Sequence, residues 1–132
     1  VIVVGRKGTA GSVHWSPQPC SVIDTAYWVR IKSKQLEPEF AYLLISSLNL
    51  PSLTAQTGVP GLNRDRAYSQ SVSIPPLAEQ QRIVDLVVSV DEQISGLELQ
   101  VGAVRELRSG VLVELLSGDR LLTDDYDVAV GL

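Results

Sequence analysis

The sequence predicts an α/β protein of the α+β kind: a small, mixed, β-rich domain followed by one long coiled-coil-forming helix. Three observations carry that prediction. Residues 1–74 hold short β-forming runs separated by Gly and Pro turn chemistry. From Ile83 onward apolar residues recur at alternating steps of four and three: Ile83, Val87, Val90, Ile94, Leu97, Val101, Val104, Val111 and Leu115, broken only by Arg108. Such a seam, sustained over more than four heptads, belongs to a helix that lies against another long helix. The periodic segment is also punctuated at both ends, by Pro75-Pro76 and by Ser117-Gly118.

Taken in order, Val1–Val4 reads as a buried strand, Gly5–Gly11 as a turn, and Ser12–Trp15 as a returning strand. Ser21–Ile31 is rich in β-formers (Val22, Ile23, Thr25, Tyr27, Trp28, Val29, Ile31) and fits one or two strands. Pro38 opens a short helix reaching Leu48, with Phe40, Leu43, Leu44 and Leu48 on one face. Asn49–Arg64 is turn chemistry, and a further strand is expected at Val72–Ile74. Pro76 then suits the first position of the long helix, where its missing N–H has no partner to lose. Glu79 in the first turn meets the positive end of the helix dipole. Forty-odd helical residues reach roughly 60 Å at 1.5 Å each. Gly96, Gly102 and Gly110 fall off the seam, and Leu86, Leu107 and Leu112 widen the apolar face. Five β-branched residues from Ile83 to Val90 disfavour an isolated helix, so packing must supply its stability.

The expected organisation is therefore a domain at 1–74, a pairing helix at 75–117 and an acidic tail at 118–132. The chain has no Met and opens inside an apolar run, which predicts a fragment of a longer domain. The net charge of −4 conceals an asymmetry. Residues 1–75 carry seven bases against four acids, whereas residues 76–132 carry four bases against eleven acids. A basic head on an acidic rod keeps nucleic acid among the partners, because binding follows local potential rather than the sum. The one cysteine, Cys20, excludes a disulfide framework, and no apolar run reaches the length of a membrane span.

Three segments resemble the specificity subunit of type I restriction-modification systems. They are Val-Ile-Val-Val-Gly-Arg-Lys-Gly-Thr-Ala-Gly at 1–11, Thr-Gly-Val-Pro-Gly-Leu-Asn-Arg at 57–64, and Ile-Pro-Pro-Leu-Ala-Glu-Gln-Gln-Arg-Ile-Val at 74–84. In this order, with a long helix following the third, the resemblance covers about residues 1–117. It implies a non-catalytic, cytoplasmic protein that binds double-stranded DNA and uses no cofactor. Each recognition domain of that family reads one half of a split DNA sequence. Long helices pair antiparallel as a ruler between domains, and the subunit docks methyltransferase (modification) and restriction subunits. This chain corresponds to the C-terminal part of one such domain plus its spacer helix, so two copies pairing through that helix are expected. Lengthening the helix by whole heptads is then expected to lengthen the spacing between half-sites.

Against that resemblance each candidate residue keeps a second, plainer reading. The Gly5–Gly11 turn has neither the Walker A nor the Gly-x-Gly-x-x-Gly spacing. Arg6 and Lys7 are solvated turn cations, or with the Thr9 hydroxyl they are phosphate donors. Asn63, Arg64 and Arg66 have the chemistry of base readout. Asn63 equally suits a cap through its side chain; the family pattern favours a framework role for Asn63 and phosphate contact for Arg64. Lys32 and Lys34 lie two apart at a strand end, on a solvated edge or facing DNA. Tyr27 and Trp28 point to opposite faces of a regular strand, one inward and one outward. His14 has no second ligand at metal spacing, and neither Asp24-Thr25 nor Glu37 with Glu39 is accompanied by a nucleophile, so catalysis is not expected. Arg108 interrupts the seam to fix register, or to meet an acid on a partner. In an antiparallel pair centred near Leu97 and Glu98 it opposes Leu86–Val90, beside Asp85 and Asp91. The rival to the whole reading is a coiled-coil interaction module that binds no DNA.

Overall fold

The computed structural model describes residues 1–54 and 61–121, so the acidic tail expected at 118–132 lies outside the described residues from position 122 onward. It is a mixed α+β chain: three strands, β1 (Ile2–Gly5), β2 (Val13–Trp15) and β3 (Ala26–Val29), precede helix α1 (Pro38–Ser47), a 3₁₀ turn (Leu50–Leu53), a short helix α2 (Arg64–Tyr68) and the long helix α3 (Leu77–Ser117). The strands form one antiparallel sheet in the order β2-β1-β3.

The register explains which side chains are inside. Ile2 lies opposite Trp15 and Val29, and Val4 opposite Val13 and Tyr27, so these share one face. Val3, opposite His14 and Trp28, takes the other. Ile2 and Val4 are buried, Tyr27 is half-buried, and His14 and Trp28 are exposed. The expectation of one inward and one outward aromatic is met by Tyr27 and Trp28 respectively. Trp15 meets Tyr42 of α1 with ring centroids 6.1 Å apart. Val4, Leu50 and Leu62 form the core cluster, which α1 joins through Ile45 and its C-cap residue Leu48.

Local chemistry sets the helix ends. Glu37 caps α1, its Oε2 accepting from the Phe40 N–H at 2.6 Å, and Pro38 occupies the first turn. Beyond α1, Asn49 adopts a left-handed conformation with φ 45°, which its short polar side chain tolerates. Asn63 caps α2: its Oδ1 accepts from the N–H groups of Asp65 at 2.7 Å and Arg66 at 3.3 Å. For α3 the Pro76 carbonyl accepts from the Gln80 N–H at 3.1 Å, one residue later than the expected start. Gly118, with φ 81°, ends it, as Ser117-Gly118 predicts.

Two expectations need correction. Val72–Ile74 is not a strand; among the described residues nothing pairs with it, and Val72 and Ile74 stay exposed. A β-forming composition makes a strand only where a neighbouring edge accepts its hydrogen bonds. Ser21–Ile31 holds one strand, Ala26–Val29, within the one or two expected, and the chain turns just before it, the Ala26 N–H donating to the Ile23 carbonyl at 3.0 Å. The strand thus ends at Val29, so Lys32 and Lys34 lie beyond it and strand alternation does not place them on one face.

The chain divides into two compact units, Val1–Val87 and Val88–Leu132. The first includes the opening turns of α3, where Gln80 and Val84 are buried and Ile83 and Val87 half-buried. These four positions follow the spacing of one helix face. Two seam residues, Ile83 and Val87, are therefore partly covered within the head itself.

Candidate nucleic-acid interface

Two of the three motif segments meet in the folded head. The Gly5–Gly11 turn closes on itself through Gly11 N–H to the Gly5 carbonyl and Gly5 N–H to the Ser12 carbonyl, both 2.8 Å. Two of its glycines, Gly5 and Gly11, have a packing reason. Gly11 has φ 86°, and a Cβ there would strike the backbone of Leu50-Pro51. The second segment runs alongside: Lys7 pairs with Gly61 in an isolated bridge, and the Leu62 N–H donates to the Arg6 carbonyl at 2.9 Å. Thr54 bridges to Leu62 on the other side, and the Tyr27 hydroxyl donates to the Leu62 carbonyl at 3.3 Å. Residues 57–60 of that segment lie outside the described residues.

The cations of this region are not equivalent. Arg6 is half-buried and held against the head, its guanidinium 3.0 Å from the exposed Asp24 carboxylate and 5.8 Å from the centre of the Tyr27 ring. Lys7 and Thr9 are exposed on the turn, although Thr9 also accepts from the Ser12 hydroxyl at 3.3 Å. Arg64 and Arg66 are exposed on α2. Asn63 has its carbonyl oxygen committed to the α2 cap, the framework role that its side-chain chemistry suggests.

A cavity of about 400 Å³ opens beside β3, with Leu50 and Leu62 among its apolar walls. Among the described residues Arg30, Lys32 and Arg64 are its charged lining residues, and no carboxylate lines it. Trp28 and Tyr68, 60% and 77% exposed, stand there as aromatic surfaces. Lys32 and Arg64 are thus brought together, while Lys34, Lys7 and Arg66 do not line this cavity. The sequence does not single out Arg30 and Tyr68, because only the folded chain places them beside Lys32 and Arg64. Strand alternation around Trp28 is the one signal that points toward Arg30, two residues on.

Along α3 the seam beyond the head is open. Val90, Ile94, Leu97, Val101, Val104 and Arg108 are exposed, and Val111 and Leu115 are half-buried. Leu97 retains 61% of its accessible surface. Among the described residues no group of His, Cys, Asp and Glu is arranged to hold a metal ion, and no helix is long and apolar enough to cross a membrane.

The head that precedes this helix is an α+β module whose paired motif segments carry two of its exposed cations, Lys7 and Arg64. Residues 1–101 match the family described as the type I restriction modification DNA specificity domain. The chain belongs to that family. The match takes in the whole head and continues along α3 to Val101, so the head and the first part of the helix fall within one family domain.

Proposed function

We propose that this chain is a non-catalytic DNA sequence-recognition subunit of a type I restriction-modification system. Its head, 1–74, binds one half of a two-part target. The helix, 75–117, pairs with a second spacer helix, most simply that of a second copy, and sets the distance between heads. Lys7, Thr9, Arg64 and Arg66, together with Lys32 and Lys34, supply phosphate contact, and Arg6 shapes the turn that presents Lys7. The acidic outer face of the helix docks the methyltransferase and restriction subunits. A helix of about 60 Å matches roughly 18 base pairs at 3.4 Å each, enough to serve two separated half-sites.

The observation that carries this reading is the specificity-domain match over residues 1–101. The cavity beside β3, lined by Arg30, Lys32 and Arg64, is consistent with it. The test is the salt dependence of duplex binding by the full chain, alone and with the modification subunit. Phosphate contacts make log K fall linearly with log salt, by about 0.9 for each phosphate neutralised. Lys7→Ala and Arg64→Ala are each expected to weaken binding to all duplexes alike and to lower that slope by about one. Binding without salt dependence, or no binding even near 50 mM salt with both partners present, would leave the interaction-module reading in its place.

A further inference from the structure

Gln80 has no exposed surface, and both ends of its amide are engaged. Its Oε1 accepts from the Glu37 N–H at 2.9 Å. Its Nε2 donates to the carbonyls of Gln35 at 2.8 Å and Pro75 at 2.7 Å. The amide thus joins the first turn of α3 to the segment that leads into α1.

The bond to Glu37 completes a helix cap from a distance. Glu37 is the N-cap of α1, and its side chain already satisfies the Phe40 N–H. In a capping box a Glu or Gln three residues on would return to the N-cap N–H. Phe40 holds that position and cannot, so Gln80 supplies the acceptor from 43 residues further along. Packing alone does not require an amide here. Val84, next on the same face, is buried and apolar. What requires it is the trio of backbone groups that would otherwise be left unpaired.

These bonds differ in kind from the contacts around them. Ile83, Val84 and Val87 bury apolar surface, and such contacts have no preferred direction. A planar amide making three bonds has one orientation that satisfies all of them. DNA advances on the order of 35° per base pair, so reading two half-sites at one spacing requires the recognising surfaces to be set to within about that angle.

We propose that Gln80 is a positioning residue: it holds the first turn of α3 in a single rotational setting against the 35–37 segment, so that one spacing between half-sites is accepted. This rests on the DNA-recognition function proposed above.

The experiment is selection of bound molecules from a pool of random-sequence duplexes by the full chain with the modification subunit. Sequencing the selected pool reads the half-site letters and their spacing separately. Gln80→Met keeps the volume and loses all three bonds; Gln80→Asn keeps the amide but is one methylene too short. The wild type is expected to favour one spacing over its neighbours by at least about tenfold. Both variants are expected to retain the half-site letters while that preference falls to about threefold or less. An undiminished spacing preference in folded Gln80→Met would overturn the proposal. So would parallel loss of letters and spacing, or failure of both variants to fold, because each assigns Gln80 to general stability instead. Failure of the wild type to select any two-part sequence would bring down the functional reading and this proposal together.

Discussion

The head and the later part of α3 are built from much the same apolar residues and use them in opposite ways. In Val1–Val87 the apolar residues meet one another: Ile2, Val4, Phe40, Leu50, Leu62 and Val84 are buried. In the second unit Leu97, Leu99, Val104, Leu107 and Val113 are all well exposed, although the segment is an unbroken helix. Backbone hydrogen bonds therefore do not distinguish the two regions; coverage does. A domain closes its own core, whereas an amphipathic helix of this length needs another surface. The family match runs from the head into the exposed seam as far as Val101, so that stretch of the seam belongs with the head rather than to an unrelated appendage.

The comparison is easiest to break in the core. Leu62 is buried, and its backbone bonds to both the glycine turn and Tyr27. Leu62→Ala is expected to destabilise the head by about 2–5 kcal/mol in urea unfolding. Leu97→Ala, measured at a concentration where the chain is monomeric, should stay within about 0.5 kcal/mol. Equal losses at both sites would mean that Leu97 is already covered in solution.

The helix glycines sharpen the contrast at smaller scale. Among the described residues nothing outside the helix's own neighbouring backbone lies within 4 Å of a Cβ built at Gly96, Gly102 or Gly110. Each Gly→Ala change is expected to raise helix stability by about 1 kcal/mol, followed by circular dichroism on heating. A loss in place of a gain, at concentrations where chains associate, would locate a close partner backbone at that glycine. The smallest effect belongs to the surface pair of Arg6 and Asp24, whose carboxylate side chain is largely exposed. Asp24→Asn should change head stability by less than about 0.5 kcal/mol and become undetectable at high salt.

Features set by neighbours in the chain are legible in the sequence. Helix α3 announces itself through its period and through Pro76 and Gly118, and Asn63 carries the chemistry of a cap three residues ahead of Arg66. The strand expected at Val72–Ile74 fails, because strand formation depends on a partner edge that composition does not report. Lys32 and Arg64 can be picked out one by one, yet their place beside one cavity with Arg30 requires the fold. Gln80 does not stand out as one of two adjacent glutamines in the third motif segment. Its spacing from Ile83, Val84 and Val87 is the signal that marks it as an inward polar residue.

By itself the sequence determined the α+β order, the extent of the long helix, its apolar seam and the separation of basic head from acidic rod, because these follow from spacing and charge along the chain. Only tertiary structure decided that Arg6 is tied to Asp24 and Tyr27, that Lys7 lies beside Gly61, and that Gln80 caps a helix begun at Pro38. Those outcomes depend on groups 18 to 54 positions apart meeting at hydrogen-bond or van der Waals range. No local period encodes such a meeting; it exists once the core around Val4, Leu50 and Leu62 has closed.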